Sequence, residues 1–269
     1  MHGNQHGPSS VRRSRPVIGG GVYLEGVAEL PPTSLGRWGG AINTRDRTLA
    51  TVLPSGFGSY ARILHPAWRV VGRDSDAGVW LTGDVRAYPV TWADVAARRA
   101  VECRRDSRWG DVSGPMVGVN RSVSDSQGWT YPPDEGVMRE PKMLASLFGL
   151  LGKTSDNAMG CNCGFWTGYS IRRPKETLRF GSGYETYWLY RTTFGALARW
   201  WTRRDTRQGL TGDTPDMFWP DDESWFVAVP FDAMATYVGG ADRLIAEILS
   251  AHELEAFEVE LADSRWCRT

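Results

Sequence analysis

The stretch Ser224–Glu260, SWFVAVPFDAMATYVGGADRLIAEILSAHELEAFEVE, constrains the fold more than any other part of this 269-residue chain. Trp225, Phe226, Val227, Ala228 and Val229 are all apolar, so they predict a strand buried on both faces. Pro230 ends it. Ala241, Leu244, Ile245, Ile248 and Leu249 recur at helical spacing opposite Asp242, Arg243 and Glu247, the pattern of an amphipathic helix. Asp242 falls in its first turn, where a negative charge suits the helix dipole. Ala256, Phe257 and Val259 predict a short closing strand. Between strand and helix, Gly239-Gly240 predict a sharp turn whose free N–H groups suit an anion such as a phosphate. A plain tight turn needs less, because a lone Gly-Gly pair lacks the spacing of a phosphate-binding loop.

Ahead of that stretch the signals are shorter. Residues 1–20 are polar and Arg-bearing and predict a disordered tail. Residues 21–269 predict one globular domain, with two lobes, 21–155 and 156–269, as the alternative. Tyr60–His65 and Val79–Thr82 read as short strands among turn residues. Thr91-Trp92-Ala93-Asp94 has the capping-box spacing and opens a helix to about Cys103. Residues 104–139 read as a long loop. Glu140-Pro141 starts a helix with the stripe Leu144, Leu147, Phe148 and Leu151, stopped by Gly152. Strands follow from Cys161 and over Tyr184–Arg191, then a helix capped by Thr192 or Thr193 and running to Arg204. The C-terminal half thus reads β-β-α-β-α-β against a β-rich, irregular N-terminal half. This predicts an α+β fold with a mixed sheet.

Composition narrows the functional classes. No apolar run is long enough to span a bilayer, so no membrane partner is expected. The N-terminus has basic residues but no apolar segment of the secretory kind. Four cysteines in a chain this long do not make a disulfide framework. Together these predict a cytoplasmic protein with reduced thiols. Net charge is zero but unevenly placed: Asp213–Asp263 holds thirteen acids and one base, Arg243. The rest of the chain is correspondingly basic, and the two parts can attract one another within the fold or expose faces of opposite sign.

Candidate chemistry is sparse. The chain has no GxSxG, HExxH, Walker or GxGxxG motif. Outside the tail it has two histidines, His65 and His252. His65 and Asp232 are the acid–base candidates, and Arg62 is a candidate charge clamp for an anion at Gly239-Gly240. Cys161 and Cys163 share a face if they lie on a strand. One intervening residue is tighter spacing than zinc sites use, so buried thiols explain them as well, and no cofactor is expected. Asp221-Asp222-Glu223 could hold a hard cation, but three adjacent acids on an extended chain cannot face one point, which favours a solvated turn. Arg199, Arg203 and Arg207 recur every four residues on a predicted helix, a stripe that suits a phosphate backbone or simply a solvated face. Trp166, Tyr169, Tyr184, Tyr187, Trp188 and Tyr190 crowd one hairpin. Such rings can stack a ligand or form core.

Several segments taken together resemble a known family: LPSGFGSYARILHPAW (Leu53–Trp68), TWADVA (Thr91–Ala96), CGFWTGYS (Cys163–Ser170) and FWPDDESWFVAVPFDAMATYVGGADRLIAEIL (Phe218–Leu249). It is a family of uncharacterised proteins common in high-GC Gram-positive bacteria. The resemblance covers most of residues 50–260, and its most specific motif is the WP-D-x-x-W…YVGG run. It implies a shared fold and a cytoplasmic location, and it implies no activity. This sequence departs from the pattern after Pro230, where the family pattern has a second acid near Met234.

Three functional expectations follow. The first is a non-catalytic binding or interaction protein, with the aromatic hairpin (Trp166, Tyr169, Trp188) and the Gly239-Gly240 turn as its contact region. The second is an enzyme or binder for a small phosphate-bearing ligand held at Gly239-Gly240 and Arg62. The third is a nucleic-acid binder working through Arg199, Arg203 and Arg207.

Overall fold

The computed structural model describes residues 28–29, 48–71, 86–115, 123–125, 128–168, 179–182, 185–203 and 214–265. In chain order these form strand β1 (Ala28–Glu29), a 3-10 turn (Leu49–Thr51), β2 (Ser59–Leu64), β3 (Ala67–Val71) and β4 (Arg86–Val90). Helices α1 (Trp92–Arg98) and α2 (Trp109–Ser113), strands β5 (Val123–Asp125) and β6 (Gly128–Tyr131), and helix α3 (Pro141–Leu151) come next. Strands β7 (Gly160–Trp166), β8 (Arg179–Ser182) and β9 (Glu185–Thr193) then lead into helix α4 (Phe194–Arg203). The chain continues through β10 (Met217–Pro220), β11 (Trp225–Ala228), β12 (Ala235–Gly240), helix α5 (Asp242–Ser250) and β13 (Ala256–Val259).

The fold is α+β, built on a nine-stranded sheet in the order β1-β9-β7-β10-β11-β12-β2-β13, with β8 also paired to β9. A second sheet has the order β4-β3-β6-β5. The strand pairings described are antiparallel in both sheets, where a mixed sheet was expected. The C-terminal half runs β-β-β-α-β-β-β-α-β rather than β-β-α-β-α-β, because three stretches not read as strands, Arg179–Ser182, Met217–Pro220 and Ala235–Gly240, are β8, β10 and β12. Strand β2, from the N-terminal half, is inserted between β12 and β13, so the main sheet crosses the 155/156 division between the two expected lobes.

Alternation along the strands builds two cores. On β9, Trp188 and Tyr190 enter one apolar cluster, while Tyr187 and Leu189 enter the other. On β11, Trp225 and Val227 likewise face one way and Phe226 and Ala228 the other, as successive residues of a strand must. Helices α3, α4 and α5 lay Leu144, Leu147, Phe148, Leu197, Trp201, Leu244 and Ile248 onto the first face. Helices α1 and α2 bring Trp92, Val95, Trp109 and Val112 to the second. Both faces are therefore covered, which is why the central strands read as unbroken apolar runs.

Local signals hold where they are local. Thr91 and Asp94 make the reciprocal capping box. The Glu140 side chain accepts from the Met143 N–H at the start of α3, with Pro141 in its first turn and Gly152 at its end. Thr193 Oγ1 accepts from the Ala196 N–H at the start of α4. Helix α1 stops at Arg98 rather than near Cys103, and two residues on Ala100 takes a left-handed φ of 54°. Residues 104–139, expected as a loop, carry α2 and the β5–β6 hairpin. The expected strand Val79–Thr82 and the tail 1–20 lie outside the described residues.

Three acids of the acidic segment pair at the surface with bases elsewhere in the chain. Lys153 Nζ bonds Glu247 at 2.6 Å, Arg105 lies 3.6 Å from Asp263, and Arg191 pairs with Asp221. Each pair joins an acid of 213–263 to a base outside it. Asp221-Asp222-Glu223 forms the solvated turn between β10 and β11. Among the described residues no helix is long and apolar enough to cross a membrane.

Candidate functional site

Gly239 and Gly240 do not form a turn. They are the last two residues of β12, buried, and paired with Tyr60 and Ser59 of β2 on one side and with Phe226 and Trp225 of β11 on the other. Their backbone groups thus lie within the ladder between two neighbouring strands. A Cβ on Gly239 would come within 2.6 Å of Phe57 Cδ2, and one on Gly240 within 2.9 Å of Leu244 Cδ2. The glycines answer to ring and helix packing against the sheet.

The described rings of β9 are core. Tyr187, Trp188 and Tyr190 are 2%, 7% and 3% exposed, where a partly exposed contact surface was expected. Phe165 meets Tyr190 edge-on at 5.5 Å. Trp166 is half-buried and stacks on Phe231 with ring centres 3.9 Å apart. Tyr169 and Arg207 lie outside the described residues. Arg199 is exposed on α4, and Arg203 ends that helix. Cys161 and Cys163 share the face of β7 that enters the helix-covered core. Burial, with the neighbouring Cys163 thiol, pushes the Cys161 thiol well above its usual range. Among the described residues no three His, Cys, Asp or Glu side chains converge as a metal set would. Asp232 lies half-buried in the turn between β11 and β12.

Arg62 and His65 are brought together, around Trp92. His65 is 1% exposed. Its Nδ1 lies 2.8 Å from the Asp134 carbonyl and its Nε2 3.0 Å from Thr236 Oγ1. Burial, opposed by the Asp134 carbonyl and aided by the Arg62 charge, lowers its pKa to about 4, so the ring is neutral at neutral pH. Trp92 Nε1 donates to the His65 carbonyl at 2.8 Å, and the ring meets Trp109 edge-on at 5.3 Å. The Arg62 guanidinium lies 5.7 Å over the Trp92 ring and donates to the carbonyls of Arg105 and Ser107 at 2.6 and 3.0 Å. It therefore ties the segment before α2 onto β2, by charge-assisted bonds and a cation–π contact.

Glu255, which the sequence does not single out, completes the cluster. Its two carboxylate oxygens accept from the Trp92 and Ala93 N–H groups at 2.6 and 2.7 Å. Residue 255 precedes β13, so the carboxylate fastens the start of α1 to the far edge of the main sheet. Burial raises the Glu255 pKa against the pull of those two amides. Cys103 is half-buried, and burial pushes its thiol up to about 12, away from the thiolate that nucleophilic chemistry needs.

Beside Glu255 the surface opens into a cleft of about 240 Å³. Leu64, Pro66, Ala93, Met143 and Leu254 make its apolar lining, and Thr91, His252, Glu253 and Glu255 its polar part. Three segments meet there: the end of β2, the start of α1 and the 252–255 turn, with Met143 of α3 alongside. His252 is exposed, and its Nε2 lies 2.9 Å from Glu253 Oε1. No sequence signal joins these residues, since Leu64 meets Glu255 through the pairing of β2 with β13, and the start of α1 joins them through the Glu255 bonds to Trp92 and Ala93.

Comparison with family profiles, with curated proteins and with solved structures finds no match for this chain.

Proposed function

We propose that this chain is a non-catalytic interaction protein of the cytoplasm, and that its contact region is the cleft beside Glu255. The observation that carries this reading is the cleft itself: a small open concavity with an apolar lining and carboxylates at hand. Two titratable groups beside it, buried His65 and half-buried Glu255, are engaged in holding the fold. His65 uses both ring nitrogens, and Glu255 uses both oxygens.

The test is Ala93→Trp. Ala93 is exposed on the first turn of α1 and lines the cleft, so the indole fills the space without entering the core. Wild type and variant are purified from their own host and weighed by native mass spectrometry. The expected result is a second polypeptide, in stoichiometric amount, with wild type and not with the variant, while thermal unfolding is unchanged. A partner retained at full stoichiometry by Ala93→Trp overturns the assignment.

A further inference from the structure

Resting on that reading, we infer that the cleft receives a lysine side chain presented by the partner polypeptide. Size sets the first limit. At about 240 Å³ the space is smaller than the roughly 300–1,000 Å³ of pockets that enclose drug-sized ligands, and it suits one long side chain.

Charge sets the second limit. The lining holds two carboxylates, Glu253 and Glu255, and neither lysine nor arginine. His252 and Glu253 already form one close pair at the rim. Glu255 is half-buried, and its carboxylate is held in place by two helix amides. A cation arriving here meets fixed negative charge with part of its solvent screen removed, where an ion pair is worth more than on open surface.

Shape sets the third limit. The apolar lining from Leu64, Pro66, Met143 and Leu254 offers a bed for a methylene stem. A long basic side chain can lay that stem down while its head stays polar. Lysine fits better than arginine because of Glu255. A guanidinium gains its advantage from a bidentate fork on both oxygens of a carboxylate. Both Glu255 oxygens already accept from Trp92 and Ala93. An ammonium, a compact charge with three rotatable donors, needs only a free lone pair from any direction.

The experiment is a methyl NMR titration of the full chain, following Leu64, Met143 and Leu254. The probes are the peptide Gly-Leu-Lys-Leu-Gly, the same peptide with norleucine for lysine, and n-butylammonium chloride. The expected result is that the lysine peptide shifts all three methyl groups. It should bind at least about tenfold more tightly than the norleucine peptide, the ratio that one charge-assisted bond gives. Glu253→Gln, at the surface and outside the core, should weaken the lysine peptide severalfold and leave the norleucine peptide unchanged. Equal affinity of the two peptides overturns the lysine assignment and leaves the cleft as the contact region. Equal affinity of the peptide and n-butylammonium assigns the cleft to free amines and also overturns it. No shift with any probe overturns it outright, while the Ala93→Trp comparison judges the cleft independently.

Discussion

His65 shows how one buried side chain sets a pH dependence. The ring titrates near 6.5 when exposed and near 4 in the fold, chiefly because burial disfavours its charged form. Between those values the unfolded chain binds more protons than the folded one, so stability rises with pH there. The contribution, about 3 kcal/mol, is fully present above pH 6.5 and is lost as pH falls towards 4. Asp134, whose carbonyl accepts from the same ring, has its own carboxyl pKa raised by burial, which acts with the opposite sign. Comparison with His65→Gln therefore isolates the ring. Urea unfolding at pH 6.5 and 4.5 should show wild type losing more stability than the variant, and parallel losses would contradict the neutral-ring account. Gly136 makes a second case at this scale. Its φ is +68°, and a Cβ there would meet the backbone oxygen of Phe231 at 2.5 Å. Gly136→Ala should cost about 1–3 kcal/mol in chemical denaturation.

At the scale of elements, helix α1 separates what neighbours in sequence encode from what the fold supplies. The Thr91–Asp94 capping box is legible because both partners lie within four residues and use local geometry. Glu255 supplies two further acceptors to the same helix start from more than 160 residues away, and nothing in local spacing announces it. Thr91→Ala should cost about 1 kcal/mol, and Glu255→Ala about 2–3 kcal/mol, since two charge-assisted bonds are lost. Hydrogen exchange should rise over residues 92–98 in both variants, and more in the second. Unchanged protection in Glu255→Ala would show that the carboxylate does not hold the helix. Gly239-Gly240 misled for the complementary reason. A glycine pair before a helix looks the same whether it turns freely or lies flat in a strand. Only the rings of Phe57 and Tyr60 and the side chain of Leu244, met through tertiary packing, decide which.

For the whole molecule, the α+β class was legible from the apolar runs and helical stripes. The order of strands was not, because antiparallel hairpins and crossovers leave the same alternation within each strand. The insertion of β2 between β12 and β13 is a long-range choice, and with the docking of α1 on Glu255 it assembles the cleft. The same two-sided burial turns the described rings of β9 from a surface into core. Trp188→Ala should therefore cost about 3–5 kcal/mol in global stability, measured by denaturant unfolding, and an unaffected midpoint would return that ring to the surface. Three acids of the acidic segment are tied at the surface to bases elsewhere by the Glu247–Lys153, Asp221–Arg191 and Asp263–Arg105 pairs. The account's central claim is that contact is made beside Glu255. The most direct measurement places a benzophenone amino acid at His252 in one sample and at Arg199 in another, then irradiates each in its own host. The account predicts a discrete adduct with a second polypeptide from position 252 and none from position 199; an adduct from 199 alone would contradict it.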